Sequence, residues 1–318
     1  MVKILVNDGI HPDGQLLLEE AGYQVDITKV PQDKLPEVLP QYDVVIVRSA
    51  TKIRKDLIDL CPNLKIIARG GVGLDNIDVA YAREKGITVM NTPAASSQSV
   101  AELVFAHLFT LARSLHLSNR EMPTEGATKF KKLKKSYSKG FELRGKTLGI
   151  IGFGRIGQAV AHTGLGLGMN IMPVDLVYDE MKIDVSIFSI QDMALSITVR
   201  TVEWEELLQN ADIITLHVPF TGKPLLSKKE FEQMKDGVIL INAARGGVVD
   251  EDALLEALES GKVAAAGVDV FENEPTPRQD LLNHDRVSVS PHIGASTQEA
   301  QTRIGQELAD KIIAFFGD

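Results

Sequence analysis

The passage that most constrains this chain is an apolar run, Thr147-Leu148-Gly149-Ile150-Ile151, that leads straight into Gly152-Phe153-Gly154-Arg155-Ile156-Gly157 and an alanine-containing stretch. A strand, a G-x-G-x-x-G turn and a helix in direct succession describe the opening of a dinucleotide-binding βαβ unit. Gly152 lets the chain reverse, Gly154 leaves bare backbone for a pyrophosphate, and Gly157 lets the helix close on the strand. The anion would rest on the unpaired N–H groups and positive dipole end of a helix starting near Arg155. After that helix, a second apolar stretch, Asn170-Ile171-Met172-Pro173-Val174, ends on Asp175, about 20 residues past the glycines, the place of a ribose-binding acid. A carboxylate there accepts from a 2′-hydroxyl and repels a 2′-phosphate, and no arginine follows it directly, so the expected cofactor is NAD rather than NADP. Asp179 competes for the role but lies beyond the strand end. Pro173 is a misfit, because proline removes a ladder donor from an internal strand.

The remaining composition narrows the function classes. The 318 residues suffice for two domains, and the formal net charge of −9 argues against nucleic acid as a partner. One cysteine, Cys61, excludes a disulfide framework or a thiolate metal cluster and fits a reducing cytoplasm. No apolar run reaches membrane-spanning length, and the N-terminal Met1-Val2-Lys3-Ile4-Leu5-Val6 reads as a strand rather than a signal peptide. No metal site and no membrane partner is expected.

In order along the chain, strands are expected over residues 2–6, 25–28, 43–47, 64–68 and 88–90, with a helix opened by Pro12 and closed by Gly22. Short apolar runs separated by helices imply a parallel sheet covered on both faces. A glycine turn, Arg69-Gly70-Gly71-Val72-Gly73-Leu74-Asp75-Asn76, follows one of these strands and presents N–H groups suited to an anion. Ser99 and Glu102 have capping-box spacing ahead of an apolar helix over 103–112, which reads as buried all round, with His107 and His116 as packing residues. Residues 129–135, Lys-Phe-Lys-Lys-Leu-Lys-Lys, form either a solvated arm or an attractor for a phosphorylated substrate, across a dimer interface. Period-two alternation over 184–190 and 195–200 suggests an added hairpin. Further strands are expected over 212–217, 238–242, 264–269 and 287–290, and a final helix over 298–316 returns to the first unit. The fold class is therefore α/β: two doubly wound parallel-sheet domains, a flavodoxin-like substrate domain of residues 1–95 plus 296–318 and a Rossmann NAD-binding domain of residues 96–295.

In open α/β sheets, ligands bind beyond the carboxyl ends of strands. Arg245, Glu274 and His292 occupy such positions after three successive strands. Histidine titrates in the range that suits proton exchange with a hydroxyl, a carboxylate fixes its tautomer and favours the imidazolium, and a guanidinium grips a planar carboxylate through two hydrogen bonds. Together with the dinucleotide motif they suit hydride transfer on a 2-hydroxy acid.

At these residues the sequence resembles the D-isomer-specific 2-hydroxyacid dehydrogenase family over essentially its whole length. The stretches that carry the resemblance are Val47-Arg48-Ser49-Ala50-Thr51-Lys52, the loop over 69–76, Val89-Met90-Asn91-Thr92-Pro93, Gly145-Lys146-Thr147-Leu148-Gly149-Ile150, Asn242-Ala243-Ala244-Arg245-Gly246-Gly247-Val248-Val249-Asp250, residues 269–275, and Pro291-His292-Ile293-Gly294-Ala295-Ser296-Thr297. The resemblance implies His292 as acid/base, Glu274 as its partner and Arg245 as the carboxylate clamp. It implies cofactor contacts at Val72, Gly152, Gly154, Arg155, Ile156, Gly157, Asp175, His217, Val218, Pro219, Ala243, Ala244, Arg245, Asp269, His292, Gly294 and Ala295. Backbone at Gly71, Val72 and Gly73 would hold the substrate carboxylate, with Arg48 and Arg69 near its phosphate end and Arg245 and His292 at the reacting carbon. The implied partner is a small phosphorylated 2-hydroxy acid, and the implied assembly is a homodimer. A reductase of smaller 2-oxo acids would use the same apparatus, and an NAD-sensing corepressor-like scaffold is the rival of another class. Long members carry a serine-binding regulatory domain; with the chain ending at Asp318, none is expected here.

Overall fold

A computed structural model describes residues 1–185 and 195–317. In chain order the first elements are β1 (Lys3–Val6), α1 (Pro12–Glu20), β2 (Gln24–Asp26), α2 (Leu35–Val38), β3 (Val44–Val47), α3 (Lys55–Asp59), β4 (Ile66–Arg69), α4 (Val79–Glu84) and β5 (Thr88–Asn91). Then follow α5 (Ser97–Ala112), α6 (Leu115–Ser136), β6 (Thr147–Ile151), α7 (Arg155–Gly166), β7 (Asn170–Val174), β8 (Glu180–Val185), β9 (Leu195–Arg200), α8 (Trp204–Asn210) and β10 (Ile213–Leu216). The chain continues through α9 (Lys228–Gln233), β11 (Val238–Asn242), α10 (Glu251–Ser260), β12 (Val263–Val268), α11 (Gln279–Leu282), β13 (Val287–Val289) and α12 (Gln298–Gly317). Two compact units result: Met1–Ser99 with Ala295–Asp318, and Val100–Gly294.

The first unit is a parallel sheet in the order β2-β1-β3-β4-β5. Its strands alternate between two cores. Leu5, Val45, Val47 and Ile67 pack with Leu35, Leu57, Ile58 and Ala82 on one face. Ile4, Val6, Val44, Ile46, Ile66 and Ala68 pack with Leu18, Ile304, Leu308 and Ile312 on the other. A strand covered on both sides must be apolar at every position, which is why Val44-Val45-Ile46-Val47 is unbroken. The late helix α12 does return to this unit and packs on α1. Backbones meet there: a Cβ on Gly14 would lie 2.4 Å from the Gly305 carbonyl oxygen. The order reverses between β1 and β3, so the loop carrying Arg48 opens at the switch point where α/β sheets bind ligands.

The second unit is a parallel sheet in the order β13-β12-β11-β10-β6-β7. One face packs on α8 to α10 through residues such as Leu207, Phe231, Leu254 and Leu258, and the other on α5 and α7 through Val104, Phe105, Leu108, Val160 and Ala161. Pro173 ceases to be a misfit because β7 is an edge strand: it pairs with β6 on one side, and the missing N–H faces away from that ladder. An antiparallel hairpin of β8 and β9 follows, burying Ile183 and Val199 in the same core as Leu148. The first expected hairpin strand, over 184–190, begins instead at Glu180; residues 186–190 lie outside the described residues.

Two expectations for α5 need correction. The helix begins at Ser97, after a turn in which the Ser97 N–H donates to the Ala94 carbonyl at 3.2 Å, so Ser99 and Glu102 sit inside it rather than at its start. The helix is also open along one edge, where Glu102, Ala106 and Phe109 are exposed at a spacing of four and three. His107 is buried as expected for a packing residue, and His116 Nε2 hydrogen-bonds the Asp285 carbonyl at 2.9 Å. The lysine run lies on α6 with only Leu133 buried, and Lys129 pairs with Glu125 at 2.8 Å. Cys61 is buried, which pushes its thiol up to about 11.

The Gly14–Gly305 approach makes α1 intolerant of side chains. Gly14→Val is expected to destabilise the first unit by about 1–3 kcal/mol, read as a lower midpoint in urea denaturation with an unchanged slope.

Candidate active site

The glycine turn has the geometry that its sequence demands. Gly152 sits at φ +93, and a Cβ on it would lie 2.6 Å from the His217 carbonyl oxygen. A Cβ on Gly157 would lie 2.1 Å from the Gly152 carbonyl oxygen, so α7 starts in direct contact with the turn. Around Gly154 the situation is opposite: nothing stands within 4 Å of where a Cβ would be. Gly154 caps α7, and the first-turn N–H groups over Arg155, Ile156 and Gly157 have no intrahelical acceptors. Asp175 ends β7 beside this turn. Its Oδ2 accepts the Phe153 N–H at 2.6 Å and its Oδ1 the Val177 N–H at 2.8 Å, so the acid braces the turn from the strand end.

β10 leads into His217, Val218 and Pro219, opposite the turn and across the switch point between β6 and β10. His217 Nε2 hydrogen-bonds Thr215 Oγ1 at 3.0 Å, while its buried Nδ1 has no partner among the described residues. Desolvation holds this imidazole neutral, well below the usual histidine range. An open glycine, free helix-start N–H groups and an orphaned ring nitrogen at the switch point fit a dinucleotide.

The three other candidates follow β11, β12 and β13. After β11, Asn242 builds the turn: its Oδ1 accepts the Ala244 N–H at 3.1 Å and its Nδ2 donates to the Arg245 carbonyl at 3.1 Å, with Ala243 and Ala244 between. A Cβ on Gly246 would lie 1.9 Å from the Phe271 carbonyl oxygen, which presses this turn against the loop bearing Glu274. Glu274 Oε1 accepts the Phe271 N–H at 3.0 Å, leaving Oε2 for His292 Nδ1 at 2.8 Å. An ionised carboxylate can only accept, so Nδ1 carries the proton and Nε2 of the neutral ring holds the lone pair. His292 itself is in the left-handed region, φ +54, a conformation that non-glycine residues hold only under restraint. The restraint is Asp269, 1 % exposed, whose carbonyl accepts the His292 N–H at 2.8 Å and whose carboxylate accepts the Ile293 and Gly294 N–H groups at 2.9 and 3.0 Å. A cavity of about 400 Å³ lies beside the pair, lined by Phe271, Pro275, Leu282 and Pro291.

Glu251 and Glu272 meet behind this loop, each carboxylate accepting the other's backbone N–H, at 3.0 and 3.3 Å. Burial raises the Glu251 carboxyl above the usual carboxylate range.

The substrate candidates lie in the first unit. Among the described residues no N–H of Gly71, Val72 or Gly73 has a partner, while the carbonyls of Gly71 and Val72 accept from the Thr92 N–H at 3.1 Å and from Asn91 Nδ2 at 2.6 Å. The Arg69 guanidinium lies against Gly71. Arg48 is fixed at its backbone: its N–H donates to Asp8 Oδ2 at 2.7 Å and its carbonyl accepts from Asn76 Nδ2 at 2.8 Å. Its side chain lines a polar cavity of about 590 Å³ with His11, Ser296, Thr297, Gln298 and Gln301. Ala295 contributes its carbonyl to Gln301 Nε2 at 2.7 Å. Sequence reasoning missed Asp8, Asn76, Asn91 and Asn242, all bracing groups; a short polar residue at or just past a strand end was the available signal for Asp8, Asn91 and Asn242.

Strand order, glycine turn and acid–histidine pair define an NAD-binding α/β dehydrogenase. A family model described as D-isomer specific 2-hydroxyacid dehydrogenase, NAD binding domain, matches residues 105–294, and the chain belongs to that family. It is 44% identical to hydroxypyruvate reductase of Thermotoga maritima, over 99% of this chain and 98% of that one. It is 42% identical to D-3-phosphoglycerate dehydrogenase of Archaeoglobus fulgidus over 98% of its own length, spanning 57% of that protein. Among solved structures it resembles D-lactate dehydrogenase of Aquifex aeolicus complexed with NAD and lactic acid, with a TM-score of 0.76, 32% identity, and coverage of 99% of this chain and 95% of that one.

The glycines predict a separation of effects. Gly154→Ala should raise the dissociation constant for NAD about tenfold or more, read by titration calorimetry, with the thermal midpoint unchanged, because only the ligand would meet the methyl group. Gly157→Ala should instead lower the midpoint. Glu251→Gln should raise the midpoint at pH 7 and lose that advantage in acid. A raised folded-state pKa means the native protein favours the protonated acid, so stability falls as pH rises through that value, and the amide removes the loss.

Proposed function

We propose that this chain oxidises D-3-phosphoglycerate to 3-phosphohydroxypyruvate with NAD, the entry step of L-serine synthesis. The observation that carries the choice of substrate is the Arg48 cavity. It holds a guanidinium that, among the described residues, has no ion pair, at the switch point of the unit whose glycine loop offers three free N–H groups. A phosphate at Arg48 and a carboxylate on the 71–73 loop suit the two ends of a phosphorylated three-carbon acid.

In this reading Arg245 clamps the carboxylate and the C2 oxygen, and His292 Nε2 takes the hydroxyl proton while the C2 hydride leaves. Bound NAD supplies the hydride acceptor. The resulting imidazolium is paired at Nδ1 with Glu274, which lowers the cost of holding the proton. We assign the N–H groups at Arg155 and Ile156 to the pyrophosphate, Asp175 to the adenosine ribose, and Asp269, through its loop, to the nicotinamide end. Ala243, Ala244, Gly294 and Ala295 would line the same path. We further propose a cytoplasmic homodimer. The single buried thiol suits a reducing compartment, and Phe109, Leu115, Met122 and Phe130 leave an apolar surface on α5 and α6 for a second copy.

A second reading, a hydroxypyruvate or glyoxylate reductase, is favoured by the end-to-end match to the Thermotoga maritima protein. Initial rates decide between them, with D-3-phosphoglycerate and NAD in one direction and 3-phosphohydroxypyruvate, hydroxypyruvate and glyoxylate with NADH in the other. Preference for the phosphorylated pair supports the serine-pathway reading; reaction with the small oxo acids alone overturns it. Arg48→Glu should abolish turnover of the phosphorylated acid while sparing glyoxylate. His292→Ala should cut kcat by about 10²–10⁴, and full biological function in that variant would favour an NAD-sensing scaffold.

A further inference from the structure

His107 was expected to do no more than fill space, yet its ring is held at both nitrogens. It lies on α5, 4 % exposed, against Gly267 of β12, where a Cβ would come within 2.8 Å of its own. Its Nδ1 is 2.9 Å from Ser288 Oγ and its Nε2 2.9 Å from Ser290 Oγ. Ser290 Oγ is in turn 2.6 Å from Asp269 Oδ1. Burial lowers the His107 pKa, opposed only in part by Asp269, so the ring is neutral.

Counting protons gives this chain a direction. A hydroxyl has one proton, and an ionised carboxylate can only accept. The short contact assigns the Ser290 proton to Asp269. Ser290 Oγ can then only accept from His107, which places the ring proton on Nε2 and leaves Nδ1 to accept from Ser288. Donation therefore runs Ser288 to His107 to Ser290 to Asp269. With the proton on Nδ1 instead, Ser290 would turn its hydroxyl to the ring and leave the buried carboxylate with the Ile293 and Gly294 N–H groups alone.

We propose that His107 is a positioning residue for the reaction: as the Nε2–H tautomer it aims the Ser290 hydroxyl at Asp269 and thereby fixes the 290–294 turn that presents His292. The turn needs such a brace because it holds His292 at φ +54, and both acceptors of the His292 N–H, the carbonyls of Asp269 and Ser290, belong to residues in the chain. His107 touches neither reacting atom nor cofactor in this assignment. The proposal rests on the reading of His292 as the acid/base.

The first test is ¹⁵N spectroscopy of the histidine rings in the full-length wild-type protein, with His107→Gln as the assignment control. The expected result is a neutral Nε2–H ring at His107 at neutral pH; an Nδ1–H ring or an imidazolium overturns the proposal. This readout stands even where a His107 variant does not fold. In kinetics, His107→Leu should lower kcat by about ten- to a hundredfold, the scale of a slightly misplaced catalytic group, with KM for NAD little changed. His107→Gln, whose amide N–H can still donate to Ser290, should recover most of kcat. Ser290→Ala should match the Leu variant, and the double variant should be no worse than either, since both break one chain. Equal losses for Leu and Gln, additive losses, or an unchanged kcat in the Leu variant would overturn the assignment. Failure of the underlying reading is distinct: a His292→Ala enzyme with wild-type turnover removes the acid/base itself, whatever tautomer His107 shows.

Discussion

The glycine turn of the second unit depends on the close approach of the Gly157 backbone to the Gly152 carbonyl. An L side chain at Gly157 would push α7 away from the turn, and with it the helix-start N–H groups and dipole that an anion needs. Closing that gap also fixes neighbours. Gly152 lies against His217 and Val218, so the turn sets the separation of the β6 and β10 loops that flank the switch point. Of the three glycines of the turn, only Gly154 has open space where a Cβ would be, which suits close approach of a ligand.

The sites are built of strand-end residues braced by short polar side chains. Asn242 shapes the Arg245 turn, Asp269 the His292 turn, Asp175 the glycine turn, and Asp8 with Asn76 the Arg48 loop. A loop beyond a parallel strand has lost its ladder partners, and its N–H and carbonyl groups must be satisfied by something else. A short carboxylate or amide does this, from the same turn in the case of Asn242 and from a distant loop or strand end in the others. The Glu274–His292 pair extends the same logic by one step, with the Phe271 N–H orienting the acid that orients the ring.

Much of this was legible in the sequence. Alternating apolar runs and helices fixed two parallel sheets, because a strand buried on both faces has no other composition. The strand–glycine turn–helix succession pointed to NAD, and the return of the last helix to the first unit was readable from its position. What stayed hidden depends on long-range partners. Ser99 and Glu102 have cap spacing, but the turn before Ser97 starts the helix earlier. Pro173 is awkward only until the sheet order makes β7 an edge. Nothing in the sequence around His107 announces two serines nearly 200 residues away.

The return of α12 has a consequence for how the chain is made. The second unit is a continuous stretch, complete once Gly294 has left the ribosome. The first unit is not: Ile4, Val6, Ile46 and Ala68 share a core with Ile304, Leu308 and Ile312, and α1 keeps a bare glycine seat for Gly305. Until α12 has been made, one face of the first sheet has α1 but lacks the rest of its cover, and α12 is the element that closes it. Until α12 emerges, the nascent chain thus carries an exposed apolar sheet face that domains folding strictly in order avoid, and the risk of misassembly lasts for that interval.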